Sequence, residues 1–172
     1  MSNPLISMSI RYLFLLLLGL NIGLVYFIIT PLTVYPAFYA FDWLYGATLY
    51  AGNVIGFKGY FAHIVEACVA GSAYYFLLIL NLTTPMSVIQ RVKSIAFLIV
   101  SFYLLNVARI IIFGTLFYKG YTYFDFTHLW TWYLGSTVLV VALWFSNVYF
   151  FKIKSIPIYT DIQGLLKESK FL

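Results

Sequence analysis

Long apolar runs separated by short polar links make up most of this chain. Four of them, at residues 12–29, 64–82, 95–118 and 129–151, reach or approach the roughly 20 helical residues that cross a hydrocarbon core. The first run, YLFLLLLGLNIGLVYFII, is stopped by Thr30 and Pro31, and Gly19 with Gly23 forms a small-xxx-small pair suited to close helix approach. It exceeds the apolar region of a signal peptide, about 7–15 residues, and no small-x-small cleavage site closely follows, so it reads as a retained span. Residues 31–62 are apolar and aromatic, but their core, PAFYAFDWLYGATLY, has only about 15 residues and predicts an interfacial or re-entrant piece.

The pattern therefore predicts an all-α fold, a polytopic transmembrane helix bundle of about four spans plus that outer segment. Residues 1–154 make up the transmembrane helical domain. The polar residues 155–172 form a short cytoplasmic tail with a short helix of its own.

Composition sharpens the class. The chain has 172 residues, 63% hydrophobic and only 9% charged, with mean hydropathy +0.95; a soluble domain is about 25% charged. Sixteen Tyr and 17 Phe suit lipid-facing helices with interfacial anchors. The net charge of +5 comes from scattered basic residues that mostly flank the apolar runs, which excludes a nucleic-acid-binding face. Arg11, Arg91, Lys93, Lys152 and Lys154 fall on one side of a four-span arrangement, against Lys58 and Lys119 on the other. The positive-inside rule makes the first side cytoplasmic, and predicts a multi-pass protein of the cell membrane.

Ionisable residues inside the runs carry the chemistry. Cys68 is the single cysteine, so no internal disulfide or two-cysteine relay exists. On the predicted topology it lies roughly 6 Å below the outer end of its helix, and Arg109 about 13 Å below the outer end of the next. His128 stands at the outer mouth of the last helix. Gly71, Ser72 and Tyr75 follow Cys68 at helical spacing, Asn106 shares the face of Arg109, and Thr131, Trp132 and Gly135 share that of His128. Burial alone makes a thiol a poor nucleophile; a nearby guanidinium reverses that, and an imidazole can take and return the thiol proton. Arg109 can alternatively stabilise an oxyanion. Together the three suffice for acyl transfer through a thioester.

At these residues the sequence resembles the exosortase/archaeosortase family of membrane cysteine transpeptidases. The resemblance rests on EACVAG (66–71), NVARI (106–110) and HLWTWYLG (128–135), and covers about half of the chain. It implies Cys68 as nucleophile, Arg109 as stabilising cation and His128 as acid/base, with Asn106 orienting Arg109 and no cofactor. It also implies the substrate: exported surface proteins whose C-terminal sorting signal combines a recognition motif, a transmembrane helix and a basic cluster. The acyl group would pass to an acceptor such as a lipid, with the site toward the extracytoplasmic face. The chain departs from the family after the cysteine. Relatives usually carry Ser or Thr and then Gly there, whereas this chain has Val69 and Ala70 before Gly71.

Two other readings use the same residues. In a non-enzymatic transport or scaffold subunit, Arg109 is a structural counter-ion to Glu66 or Asp125 and Cys68 is packing. A metal or haem site through His63, His128 and Cys68 has few ligands and no motif spacing behind it.

Overall fold

The computed structural model describes residues 4–168. Helix dominates, in the order α1 (Pro4–Leu20), α2 (Ile22–Tyr45), a β-meander, α3 (Glu66–Val69), α4 (Gly71–Leu82), α5 (Val88–Tyr118), α6 (Phe124–Trp130), a π-helical segment (Thr131–Gly135), α7 (Ser136–Phe150) and α8 (Tyr159–Glu168). Three helical stretches, Ile22–Tyr45, Val88–Tyr118 and Phe124–Phe150, are long and apolar enough to cross a bilayer. Ile6–Leu20 and Glu66–Leu82 are apolar but shorter.

The first apolar run is divided differently from the expectation. It breaks at Asn21, whose side-chain amide donates to the Leu17 carbonyl at 3.1 Å, and the chain then continues helical through Pro31 and Pro36 to Tyr45. Proline removes a donor from the helix ladder. Pro36 leaves the carbonyl of Leu32 without its usual partner, and the Tyr103 hydroxyl from α5 donates to it at 3.0 Å. Neighbouring helices supply such substitutes in apolar surroundings, which is why Pro36 does not stop this one. Gly19 packs beneath the ring of Tyr75, but nothing approaches Gly23, so only half of the small-xxx-small pair is used.

Residues 31–62 are therefore not one interfacial piece. Their first part completes α2, and their second part builds a three-stranded antiparallel meander of β1 (Thr48–Tyr50), β2 (Val54–Phe57) and β3 (Tyr60–His63) in the order β1-β2-β3. Lys58 and Gly59, both at positive φ, form the two-residue turn whose twist matches the flanking strands. Ile55 and Phe57 of β2 point inward, and Phe57 stacks on Phe41 with ring centroids 4.8 Å apart. Gly114 on α5 makes room for the Phe41 ring. The meander thus caps one end of the bundle, over a core that includes Val34, Ile64, Val69 and Ile110.

The run 64–82, expected as one helix, is two. Val65 is extended, α3 makes a single turn, and Ala70 adopts the left-handed conformation (φ 58°) before α4 begins. Gly71 comes next because the ring of Tyr26 from α2 occupies the space that a Cβ would need. The break dissolves the expected stripe below Cys68. Gly71 faces Tyr26, Tyr75 donates to the Leu15 carbonyl at 2.9 Å, and Ser72 lines a crevice between α4 and α7. An L-residue pays about 1–2 kcal/mol for the left-handed region, most when β-branched. Ala70→Val is therefore expected to cost about 2 kcal/mol relative to Ala70→Gly, read as a lower thermal midpoint of the detergent-purified protein.

α5 begins earlier than expected, at Val88, because the Ser87 hydroxyl caps it by accepting from the Gln90 amide at 3.3 Å. A second core, built from Val25, Tyr74, Leu77, Leu98, Phe102 and Trp144, joins α2, α4, α5 and α7. At the end opposite the meander, Arg91 donates to the carbonyls of Asn81 and Thr84 at 2.7 and 2.9 Å, and Arg11 to that of Leu82 at 2.7 Å. These close the C-terminal end of α4, whose last carbonyls lack helical donors. Asp161 of α8 binds Arg11 at 3.0 Å, so the described part of the tail is fastened to the bundle instead of standing apart from it. Residues 169–172 of the expected tail lie outside the described residues.

Candidate active site

The meander delivers the chain to the site. β3 hands over to the buried Ile64, whose amide donates to the Asn53 carbonyl at 3.0 Å, and α3 follows with Cys68 in its third position. The amides of Cys68 and Val69 both reach the Val65 carbonyl, at 2.8 and 3.2 Å, and that of Ala70 reaches Glu66 at 3.0 Å. The backbone donors of this turn are therefore spent on its own shape. The sulfur belongs to a half-buried residue.

α5 grips the same turn from the side. Asn106, 2% exposed, donates its side-chain amide to the carbonyls of Cys68 and Val69 at 3.0 and 3.3 Å. These are carbonyls that the helix break leaves without helical donors, so one amide settles two otherwise costly groups. One turn further along, Arg109 makes a long 3.5 Å contact to the Cys68 carbonyl and a 2.8 Å hydrogen bond to the Ser136 hydroxyl. Asn106 and Arg109 thus act on one cysteine carbonyl from adjacent turns.

The third wall depends on the π-helical segment. Its i→i−5 bond runs from the Ser136 amide to the Thr131 carbonyl, and the Ser136 hydroxyl donates to that same carbonyl at 3.3 Å. The wider turn brings the Ser136 oxygen under the Arg109 guanidinium. Single π turns inside α-helices occur frequently at functional sites. His128, in the last turn of α6, is stacked on Phe124 (5.4 Å, 8°) and meets the edge of Phe113 at 5.2 Å. These rings set the imidazole plane, and the residue stays exposed.

Cys68, Arg109 and His128, singled out in the sequence on three separate runs, line one cavity of about 250 Å3 together with Phe113, Thr131 and Trp132. A second, largely apolar crevice of about 340 Å3 shares Arg109, Phe113 and Thr131 and extends between α5 and α7 past Gly135 and Ser136. Arg109 is not bonded to Glu66 or Asp125. Among the described residues the ion pair formed is Arg11–Asp161, at the other end of the bundle. A guanidinium has five N–H donors; two contacts engage Arg109, and among the described residues no carboxylate is paired with it beside the cavity. Among the described residues, no group of three or more His, Cys, Asp or Glu side chains is placed to hold a metal ion.

Sequence reasoning missed Ser136 altogether. A serine seven residues into an apolar run carries no periodicity of its own, and its meaning comes from the π turn that aims it. Asn106 was found, but its partner is the Cys68 turn and no bond from it to Arg109 is formed.

Comparison with protein families, curated proteins and solved structures gives no match for this chain.

Proposed function

We propose that this protein is a membrane-embedded cysteine transpeptidase that cleaves the C-terminal sorting signal of exported proteins and passes the acyl group to an acceptor. The observation that carries this reading is the convergence of Cys68, Arg109 and His128 on one cavity. The family resemblance of the three motifs supports it. On this reading α1 with α2, α3 with α4, α5, and α6 with α7 make four crossings, and the cavity opens toward the extracytoplasmic leaflet.

The chemistry follows from the groups available. His128 takes the Cys68 proton, and the thiolate sulfur attacks the scissile carbonyl carbon. The resulting oxyanion needs hydrogen-bond donors, and the amides of Cys68, Val69 and Ala70 are already engaged. Arg109 is the cationic donor at the cavity. Collapse of the tetrahedral intermediate breaks the C–N bond, and the imidazolium returns its proton to the leaving amine. The acceptor nucleophile then gives its proton to His128 and attacks the thioester carbon, the C–S bond breaks, and the departing thiolate takes that proton back from the imidazolium. The largely apolar lining of the cavity strengthens the guanidinium–oxyanion attraction.

A specific observation favours one rival: Arg109 bridges α3, α5 and α7 through Cys68 and Ser136, as a purely structural cation would in a transport or scaffold subunit. Thiol reactivity separates the two. In native membranes, Cys68 is expected to label rapidly with a small maleimide, and the rate to fall in Arg109→Gln and His128→Ala. A thiol that is inert in the wild-type protein, or whose labelling ignores both substitutions, leaves the structural reading standing.

A further inference from the structure

The C-terminal helix carries an apolar stripe that the bundle does not cover, and its position is fixed in both height and rotation. Height follows from three bonds to the end of the bundle. Asp161 accepts from Arg11 at 3.0 Å and from the Tyr12 hydroxyl at 3.3 Å, and the Ile158 amide reaches the Thr83 carbonyl at 2.9 Å. The first turn of α8 is therefore level with the C-terminal end of α4. Rotation follows from Asp161, which is buried against α1. With about 100° per residue, Tyr159 and Ile162 must then turn off that inward line. They are 54% and 48% exposed.

Neighbours at the same level identify what covers them. Arg91 bonds to Asn81 and Thr84 there, so the opening turns of α5 stand at that height. Val88, Ile89 and Val92 in those turns are 77%, 70% and 62% exposed. Ile10 on α1, beside Arg11, is exposed as well. Apolar positions so exposed on helices of a membrane protein face lipid, so the lipid-facing surface reaches the level of α8. The link before the helix adds two exposed cations, Lys152 and Lys154, suited to anionic headgroups.

We infer that α8 is an interfacial helix, lying along the headgroup boundary of the leaflet at this end of the bundle with Tyr159 and Ile162 in lipid. The Arg11–Asp161 pair is the latch that sets its rotation. An amphipathic helix binds a bilayer surface by burying such a stripe. Here the latch pre-orients it, so a helix of only ten residues can dock without first ordering itself.

The test places an environment-sensitive fluorophore at Ile162→Cys or Gly164→Cys in full-length protein carrying Cys68→Ser, with one copy per nanodisc of mixed zwitterionic and anionic phospholipid. The two positions are about 160° apart around the helix, and nothing approaches the space that a side chain at 164 would fill. Emission at position 162 is expected to be blue-shifted relative to 164, and quenched more by headgroup-proximal doxyl lipid than by iodide, with the order reversed at 164. Equal iodide quenching at both positions overturns the inference. So does shielding of 162 that appears only with two copies per disc, which would make a second copy the occupant. Asp161→Asn is expected to erase the contrast between the positions, and a contrast that survives removes the latch.

Discussion

Cys68→Ala is expected to abolish processing of a co-expressed, tagged exported protein bearing a C-terminal motif, transmembrane helix and basic cluster. The thiol is the one atom that forms the thioester, and no second cysteine can replace it. Removing the nucleophile of a hydrolytic triad lowers turnover by on the order of 10⁶-fold. In an immunoblot of the tagged protein, only the unprocessed species should remain. The change is small and the residue half-buried, so the variant should still purify as the wild type does. Full processing by Cys68→Ala would end the enzyme reading.

Arg109→Lys is the second large effect. Lysine keeps the charge but loses the planar fork, which here meets Ser136 with one nitrogen and the Cys68 carbonyl with another. Removing one preorganised oxyanion donor typically costs about 10²–10³-fold in turnover. Processing is expected to slow by roughly that factor with the full-length protein still present in the membrane. A rate equal to wild type would show that any cation suffices there, or that none is needed. Ser136→Ala is a useful companion, because it leaves the guanidinium in place and removes only its brace. It should slow processing less than Arg109→Lys.

Much of the architecture was legible because apolar periodicity reports directly on a lipid-facing helix. The runs around α5 and α7 appear where the hydropathy pattern predicts them. The local breaks were not legible. Asn21, Ala70 and the π turn at Thr131–Gly135 interrupt stretches that read as continuous apolar runs, while Pro31 and Pro36 sit inside α2 and do not interrupt it. At Pro36 and near Ala70 a partner from another helix decides. Tyr103 relieves the carbonyl freed by Pro36, and Asn106 holds the carbonyls freed near Ala70. The meander escaped notice because its strands are three or four residues long and follow directly on a membrane-type helix.

By itself the sequence determined that the chain is an apolar, helical membrane protein, and which ionisable side chains stand out inside it. Those conclusions rest on composition and spacing, which need no knowledge of neighbours. Only the tertiary structure decided that Cys68, Arg109 and His128 border one cavity, that Ser136 braces the arginine, and that the tail folds back onto Arg11. Those are long-range contacts. They depend on where helices cross and how their ends are satisfied, and a linear pattern holds no record of either.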